Sequence, residues 1–147
     1  MLGDASSILA FSTEEKMAAI IVDIDDTLLR NGVQPIRSTI DWINERAKDY
    51  TIIVVTGRPE STRERTVRAL RDAGVRYNRL VMNTGSTQQS NRFKAEAAKR
   101  IKSQTRVAIA IDNDEGARTA YRNAGIKTAS PSSLGDNVLK YNMFWRM

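Results

Sequence analysis

The sequence predicts an α/β fold: a doubly wound, mostly parallel sheet of five strands with helices on both faces. The first observation is a set of short, uninterrupted apolar runs, which are typical of strands buried on both faces. The second is that segments with helical spacing of apolar residues separate these runs, and such alternation predicts βαβ units with right-handed crossovers. The third is that polar residues directly follow several runs, as they do where ligands bind at the carboxyl ends of parallel strands.

The apolar runs predict strands at 18–23, 51–55, 80–82, 107–111 and 126–129. Apolar residues at intervals of three and four predict helices at 36–48, 59–73, 92–102 and 117–124. Connections rich in turn-forming residues are expected at 30–35, 83–91 and 131–135. Pro59 suits the first turn of its helix, and Gly74 and Gly125 suit helix ends.

A length of 147 residues predicts one domain, with a core at 18–130 between two end segments. The N-terminal arm, 1–17, is compatible with a short capped helix, an ordered arm or a mobile tail. The C-terminal segment, 131–147, carries Tyr141, Phe144 and Trp145 and is expected to pack as a short helix or an apolar segment.

Composition excludes several classes of chemistry. The chain contains no cysteine and no histidine, which rules out disulfides, thiolate or imidazole metal sites and Ser-His-Asp catalysis. Catalysis must therefore rely on carboxylates, lysine, arginine, hydroxyls or a cation bound by oxygen. No signal peptide and no apolar run near the ~20 residues of a membrane helix is visible, so we expect a cytoplasmic protein without a membrane partner. A net charge of +6 favours polyanionic partners.

The first strand runs directly into three carboxylates, Asp23, Asp25 and Asp26. On extended backbone, Asp23 and Asp25 would point to the same side. Two carboxylates converging at a strand end form either a divalent-metal site or a nucleophile with an acid beside it. A plain acidic turn or helix cap is the competing interpretation.

Three further polar positions follow along the chain. Together with the carboxylates after the first strand, we call them the four polar stations. Thr56 ends the second strand, Lys94 begins a helix after the third strand, and Asp112 ends the fourth strand. Taken singly, Thr56 is compatible with a helix cap, Lys94 with a solvated helix residue and Asp112 with a turn residue. Because the carboxyl ends of parallel strands lie on one edge of a sheet, we expect the stations to converge there.

The order and spacing of these four stations, over about 18–125, resemble the haloacid dehalogenase-like (HAD) phosphohydrolases. The resemblance implies that Asp23 attacks phosphorus to form an aspartyl-phosphate and that Asp25 is the general acid and base. It also implies Mg²⁺ bound by Asp23, Asp112 and the backbone carbonyl of Asp25, with Thr56 and Lys94 holding the phosphoryl group.

The fourth station departs from the family pattern, which often carries two adjacent acids. Here Asn113 follows Asp112, and it can coordinate a metal or accept a hydrogen bond without supplying charge. Asp114 either substitutes for the second acid or only caps the following helix. Asn113 and Asp114 are therefore candidates for the metal site or for the groups around it.

The spacing between stations leaves no room for a cap domain, so the chain resembles a capless member with an open site. Thr56-Gly57-Arg58 also resembles the phosphatase domain of polynucleotide kinase-phosphatases, which implies that Gly57 and Arg58 help bind phosphate. Seven arginines against three acidic residues lie in 58–79. They favour either contacts to a nucleic-acid backbone or a solvated helix face with ion pairs.

We therefore expect a Mg²⁺-dependent phosphatase of nucleic-acid ends, most simply a polynucleotide 3′-phosphatase, that is a monomer or a small homo-oligomer. One alternative is a phosphatase of nucleotides or other small molecules whose lid comes from a second subunit. Another is a HAD-fold binding module with little catalysis.

Overall fold

A computed structural model describes residues 16–85 and 89–139. The strands are β1 (Ala19–Val22), β2 (Leu29–Arg30), β3 (Gln34–Pro35), β4 (Thr51–Pro59), β5 (Arg79–Asn83), β6 (Val107–Ile111) and β7 (Thr128–Ala129). The helices are α1 (Arg37–Arg46), α2 (Arg63–Asp72), α3 (Ser90–Gln104) and α4 (Glu115–Asn123), with short 3-10 helices at Glu60–Thr62 and Pro131–Ser133.

The predicted fold class is confirmed. Five parallel strands form one sheet in the order β5-β4-β1-β6-β7, and β2 pairs with β3 in a small antiparallel hairpin. Alternate residues of β1 face opposite layers: Ile20 belongs to a core cluster with Leu70 of α2, and Ile21 to a second cluster with Ala97 of α3. Helices α1 and α2 therefore cover one face, and α3 and α4 the other.

The structure differs from three local predictions. The connection at 30–35 contains the β2–β3 hairpin, whose turn uses positive φ angles of 54° at Asn31 and 82° at Gly32. Pro59 ends β4 instead of starting a helix, and α2 begins only at Arg63. The predicted loop at 131–135 contains a 3-10 helix, in which Pro131 supplies the helical φ angle at the first position.

Only a hairpin and one helix separate β1 from β4, and one helix separates β4 from β5, so no large cap domain is present among the described residues. The expectations for the N-terminal arm up to 15 and for 140–147 lie outside the described residues. Leu139, near the end of the described part, is buried in the core cluster that contains α1 and α2. In the described part of the chain, none of the helices has the length and apolarity to cross a bilayer.

Candidate active site

The ends of β1, β4 and β6 meet at one edge of the sheet, because these three strands are neighbours and run parallel. A cavity of about 700 Å³ opens at this edge. Every predicted site residue except Thr56 lines it, namely Asp23, Asp25, Gly57, Arg58, Lys94, Asp112, Asn113 and Asp114. The structure thus brings together residues that lie up to about ninety positions apart in the chain.

Three charged side chains form a buried cluster at the base of the cavity. Lys94 Nζ donates to Asp23 Oδ1 at 3.0 Å and to Asp112 Oδ2 at 2.7 Å. The side chains of Lys94, Asp23 and Asp112 are only 6%, 7% and 0% exposed. Helix α3 packs its buried face on the sheet, which projects Lys94 from its first turns between the two strand ends.

The buried cluster contains one cation and two carboxylates, so it carries an excess negative charge when both acids are ionised. Burial raises the pKa of Asp23 to about 7, with Asp112 adding to the rise and Lys94 opposing it. Burial also acts to lower the pKa of Lys94, but the two carboxylates outweigh it and the pKa lies above its usual value. A further cation would therefore be stabilised beside Asp23.

Asn113 lies against this cluster, and one end of its side-chain amide faces three oxygen atoms, those of the Asp23 carboxylate, the Thr27 hydroxyl and the Asp25 carbonyl. In the orientation that satisfies its neighbours, Asn113 Nδ2 donates to Asp25 O at 2.9 Å and to Asp23 Oδ2 at 3.1 Å. Thr27 Oγ1 lies 3.1 Å from Asp23 Oδ2 and accepts from the Asn113 backbone N–H at 3.1 Å. Rotating the amide by 180° would bring its oxygen to the same place, beside a carboxylate and a carbonyl.

Asp114 caps α4. Its Oδ2 accepts from the backbone N–H of Ala117 at 2.8 Å, and its own N–H donates to Asp112 Oδ1 at 3.0 Å. Of the two roles that the sequence left open, the structure shows the cap. Neither Asn113 nor Asp114 is deeply buried, and both line the cavity.

Asp25 and Arg58 form an open pair at the mouth of the cavity. Arg58 Nε and Nη2 donate to the two carboxylate oxygens of Asp25 at 3.0 and 2.8 Å. The Asp25 side chain is 50% exposed and that of Arg58 15% exposed. Arg58 also donates to Thr66 Oγ1 of α2 and to the Gly32 carbonyl of the hairpin, each at 3.2 Å, and the hydrogen bond to Asp25 raises the pKa of Arg58.

The open pair refines two expectations. Asp23 and Asp25 line one cavity but bind different partners, because β1 ends at Val22 and the backbone turns at Asp26, where φ is 61°. Arg58 was expected to bind phosphate, and that role stays a prediction. Its nitrogens already hold Asp25, a contact that the sequence did not predict.

The end of β4 is shaped by a shift in register. The pairing of β4 with β5 is interrupted between Thr56 and Pro59, which turns Gly57 and Arg58 out of the ladder. A Cβ atom at Gly57 would collide with Ser90 Oγ at the start of α3, so the glycine allows these two elements to approach without moving Ser90. Thr56 is fully buried, and its hydroxyl accepts from the Arg58 backbone N–H at 3.1 Å.

Sequence reasoning missed several residues of the site. Thr27 directly follows the acids after the first strand, but no role was assigned to it from the sequence. Its hydrogen bonds to Asp23 and Asn113 connect the ends of β1 and β6, which are far apart in the chain. Ser90, Asn91 and Arg92 line the cavity from the start of α3. The polar composition of 83–91, directly before Lys94, was the available signal for them.

The acidic side chains alone do not form a complete metal site. In residues 16–85 and 89–139, no three acidic side chains are arranged to hold a cation, since Lys94 stands between Asp23 and Asp112. Oxygens of other kinds complete the set, namely the Asp25 carbonyl and the Asn113 amide. Mg²⁺ prefers oxygen ligands and retains several waters, so this mixed donor set fits it.

Comparisons with known structures agree with this fold. A chain of the Pnkp1/Rnl/Hen1 RNA repair complex is 23% identical, with a TM-score of 0.63 over 76% of this chain and 41% of that chain. A second structure of the Pnkp1/Rnl/Hen1 complex gives 20% identity and a TM-score of 0.65 over 76% and 45%. The chain thus spans less than half the length of these two relatives.

A core domain from Streptococcus pneumoniae TIGR4, provisionally described as that of a phosphoglycolate phosphatase, is 17% identical with a TM-score of 0.50 over 88% of this chain and 96% of that one. At these identities, the three structures support the fold alone. Comparison with curated protein sequences gives no match. A family model described as haloacid dehalogenase-like hydrolase matches residues 20–118, from β1 to α4. With the fold and this match in agreement, the chain belongs to the haloacid dehalogenase-like hydrolase family.

Proposed function

We propose that the protein is a Mg²⁺-dependent phosphomonoesterase that removes terminal phosphates from nucleic acid, most simply 3′-phosphates. The observation that carries the phosphatase assignment is the buried cluster, in which Lys94 fixes Asp23 and Asp112 at the base of an open cavity. A carboxylate held in one position, beside a cation that offsets the charge of an anionic substrate, is what attack on a phosphate monoester requires.

Asp23 is the proposed nucleophile. Its attack would transfer the phosphoryl group to a carboxylate oxygen and break the bond to the leaving oxygen, giving an aspartyl-phosphate. Asp25, half exposed at the mouth, would protonate the leaving oxygen and then take a proton from the water that hydrolyses the intermediate. Thr56, Gly57, Arg58 and Lys94 would hold the phosphoryl oxygens.

We propose that Mg²⁺ is bound by Asp23, Asp112 and the Asp25 carbonyl, with the Asn113 amide oxygen turned toward it. The excess negative charge of the buried cluster and the oxygen atoms around Asn113 support this set. When bound, the ion would offset the charges of the phosphate and the carboxylates. We assign Asp114 no part in metal binding, because its side chain caps α4.

Three features favour nucleic acid over a small substrate. The described chain carries no cap that would enclose a small molecule. Seven arginines lie in 58–79, a segment that begins at the cavity. Two of the similar folds come from structures of the Pnkp1/Rnl/Hen1 complex, one of them described as an RNA repair complex, and identities of 23% and 20% support that point only as a proposal.

The test is a hydrolysis screen with and without Mg²⁺. The panel contains an aryl phosphate, nucleoside 3′- and 5′-monophosphates, and oligonucleotides with a 3′- or a 5′-phosphate. We expect Mg²⁺-dependent release of orthophosphate, with the highest kcat/KM on a 3′-phosphorylated oligonucleotide. Preference for mononucleotides, together with a dimer by light scattering, would instead support a small-molecule phosphatase with a shared lid. If no substrate in the panel is hydrolysed, the remaining interpretation is a binding module with the same fold.

A further inference from the structure

A second groove adjoins the cavity on the side of α2. It lies between the β2–β3 hairpin and α2, has a volume of about 430 Å³, and its lining includes Val33, Pro59, Arg65, Arg68 and Ala69. We call it the arginine groove. Arg58 and Pro59 line both the arginine groove and the active-site cavity, so the two spaces are direct neighbours.

The lining combines apolar surface with positive charge that is only weakly paired. Val33 is 65% exposed and is the one exposed large hydrophobic residue among those described. Arg65 has no ion pair in the described part of the chain, and the carboxylate nearest to Arg68 is Glu64 at 3.9 Å, which is itself 94% exposed. The acidic residue in the lining, Asp72, lies 3.5 Å from Arg71.

We propose that the arginine groove binds the nucleotide next to the phosphorylated end of a nucleic-acid strand; this inference rests on the proposed function. Arg65 and Arg68 would bind the phosphodiester, since arginine holds phosphate through paired hydrogen bonds. The base or sugar would pack on the apolar surface of Val33, Pro59 and Ala69, which removal of that surface from water favours. The volume lies in the range of small-ligand clefts.

The proposal distinguishes the arginines of 58–79 by their contacts, which a count of charges in the sequence does not reveal. Arg63 is held by Glu60 and the Leu80 carbonyl, and Arg79 donates to Gln104, so both are engaged away from the groove. Arg76 follows the end of α2 and lines a different depression, at the opposite edge of the sheet from the cavity. Only part of the basic segment would then contact the strand.

The first measurement is kcat/KM for 3′-phosphorylated substrates of one, two, three and six nucleotides. A groove that holds one nucleotide beyond the terminal one predicts a rise of about tenfold from one to two or three nucleotides, and little further rise to six. A flat series would overturn the proposal, as would a gradual rise over all lengths, which indicates general charge attraction.

The matched variants are Arg65→Ala/Arg68→Ala and Arg76→Ala/Arg100→Ala. Each removes two positive charges, but Arg100 lies on α3, which covers the opposite face of the sheet. We expect the first variant to lose most of the length-dependent gain and to lower the log–log salt slope by about one per phosphate contact. The second variant should keep the length-dependent gain and the wild-type salt slope. Equal losses in the two variants would overturn the proposal.

Val33→Asp tests the groove from the hairpin, independently of the arginines. It places a negative charge beside the proposed phosphodiester, so we expect a loss of the gain with longer substrates comparable to that of Arg65→Ala/Arg68→Ala. An unchanged length series in Val33→Asp would contradict a role for the hairpin wall.

Equilibrium binding separates failure of this inference from failure of the proposed function. The probe is a fluorescent 3′-phosphorylated trinucleotide, measured by anisotropy with wild type and the two double variants. If no substrate is hydrolysed but Arg65→Ala/Arg68→Ala binds the probe several-fold more weakly than its control, the groove stands and the phosphatase assignment fails. If hydrolysis occurs while both double variants bind equally, the groove fails and the phosphatase assignment stands.

Discussion

The buried cluster and the open pair are two solutions to placing carboxylates beside cations at the same edge of the sheet. In the buried cluster, Asp23, Lys94 and Asp112 are at most 7% exposed and lie on elements that the core fixes. In the open pair, Asp25 is half exposed and its partner Arg58 bridges a hairpin and a helix. Burial makes charge interactions strong and costly, whereas exposure makes them weak and exchangeable.

This difference matches the two roles that an aspartyl-phosphate mechanism requires. A nucleophile must be held in one position before the reaction, which favours a buried carboxylate with a fixed partner. A general acid and base must exchange protons with the leaving group and with water, which favours a carboxylate at the mouth. The assignment of Asp23 and Asp25 to these roles can therefore be tested by treating the two regions separately.

The largest effect is expected from Asp23→Asn, which keeps the shape of the side chain but removes the proposed nucleophile. Turnover of an aryl phosphate should fall by roughly 10⁴-fold or more, while circular dichroism and melting temperature stay close to wild type. The matched control is Asp41→Asn, an exposed acid in a surface pair with Arg37. Near wild-type turnover in Asp23→Asn would show that the buried cluster does not supply the nucleophile.

Lys94→Met should have the largest effect on stability. Removing the cation leaves Asp23 and Asp112 buried without a counter-charge, which costs about 3–5 kcal/mol. Urea unfolding measures this free energy, with Lys99→Met, an exposed position on the same helix, as the control. If the two variants were equally stable, the buried cluster would not be electrostatically coupled as its distances imply.

Arg58→Lys tests whether the open pair positions Asp25 or binds phosphate. Lysine keeps the charge but loses the paired hydrogen bonds to Asp25, so we expect kcat on an alkyl phosphate to fall by about tenfold, with stability changed by less than about 1 kcal/mol. An aryl phosphate, whose leaving group needs little protonation, should be affected less.

Equal losses on the alkyl and aryl substrates, expressed as a rise in KM, would instead favour phosphate binding by Arg58. The control is Arg63→Lys, because Arg63 also holds a carboxylate through two nitrogens, that of Glu60, but outside the cavity. It should change neither kinetic constant.

The smallest effect is expected from Asp114→Ala, which removes the cap of α4 and should cost about 1 kcal/mol. Asp114→Ser restores a capping oxygen without a carboxylate, so it should recover most of that stability. The Mg²⁺ concentration that gives half-maximal activity should be the same in Asp114→Ser as in wild type. A large increase would place Asp114 among the metal ligands and extend the buried cluster to the rim of the cavity.

Much of the fold followed from the sequence, because strands buried on both faces need uninterrupted apolar runs and the helices between them need a periodic apolar face. The 107–111 strand was predicted at its observed bounds and those at 18–23 and 80–82 to within one residue at each end, whereas β4 extends four residues beyond the predicted 51–55 and β7 begins two residues after the predicted 126. The β2–β3 hairpin was missed because each of its strands has two residues, too few for any periodicity. Pro59 was misplaced because proline is tolerated at an irregularity in a strand as well as at a helix start.

The sequence by itself determined that the strand ends carry acids, a hydroxyl and an amide, and that they must share one edge of the sheet, because parallel strands end there together. Only the tertiary structure decided how those groups are paired. Lys94 reaches two carboxylates, Asp114 serves α4, and Arg58 holds Asp25 instead of standing free. Such pairings depend on helix packing, a register shift and a turn at Asp26, which place atoms to within an ångström, and residue spacing along the chain does not encode distances of that kind.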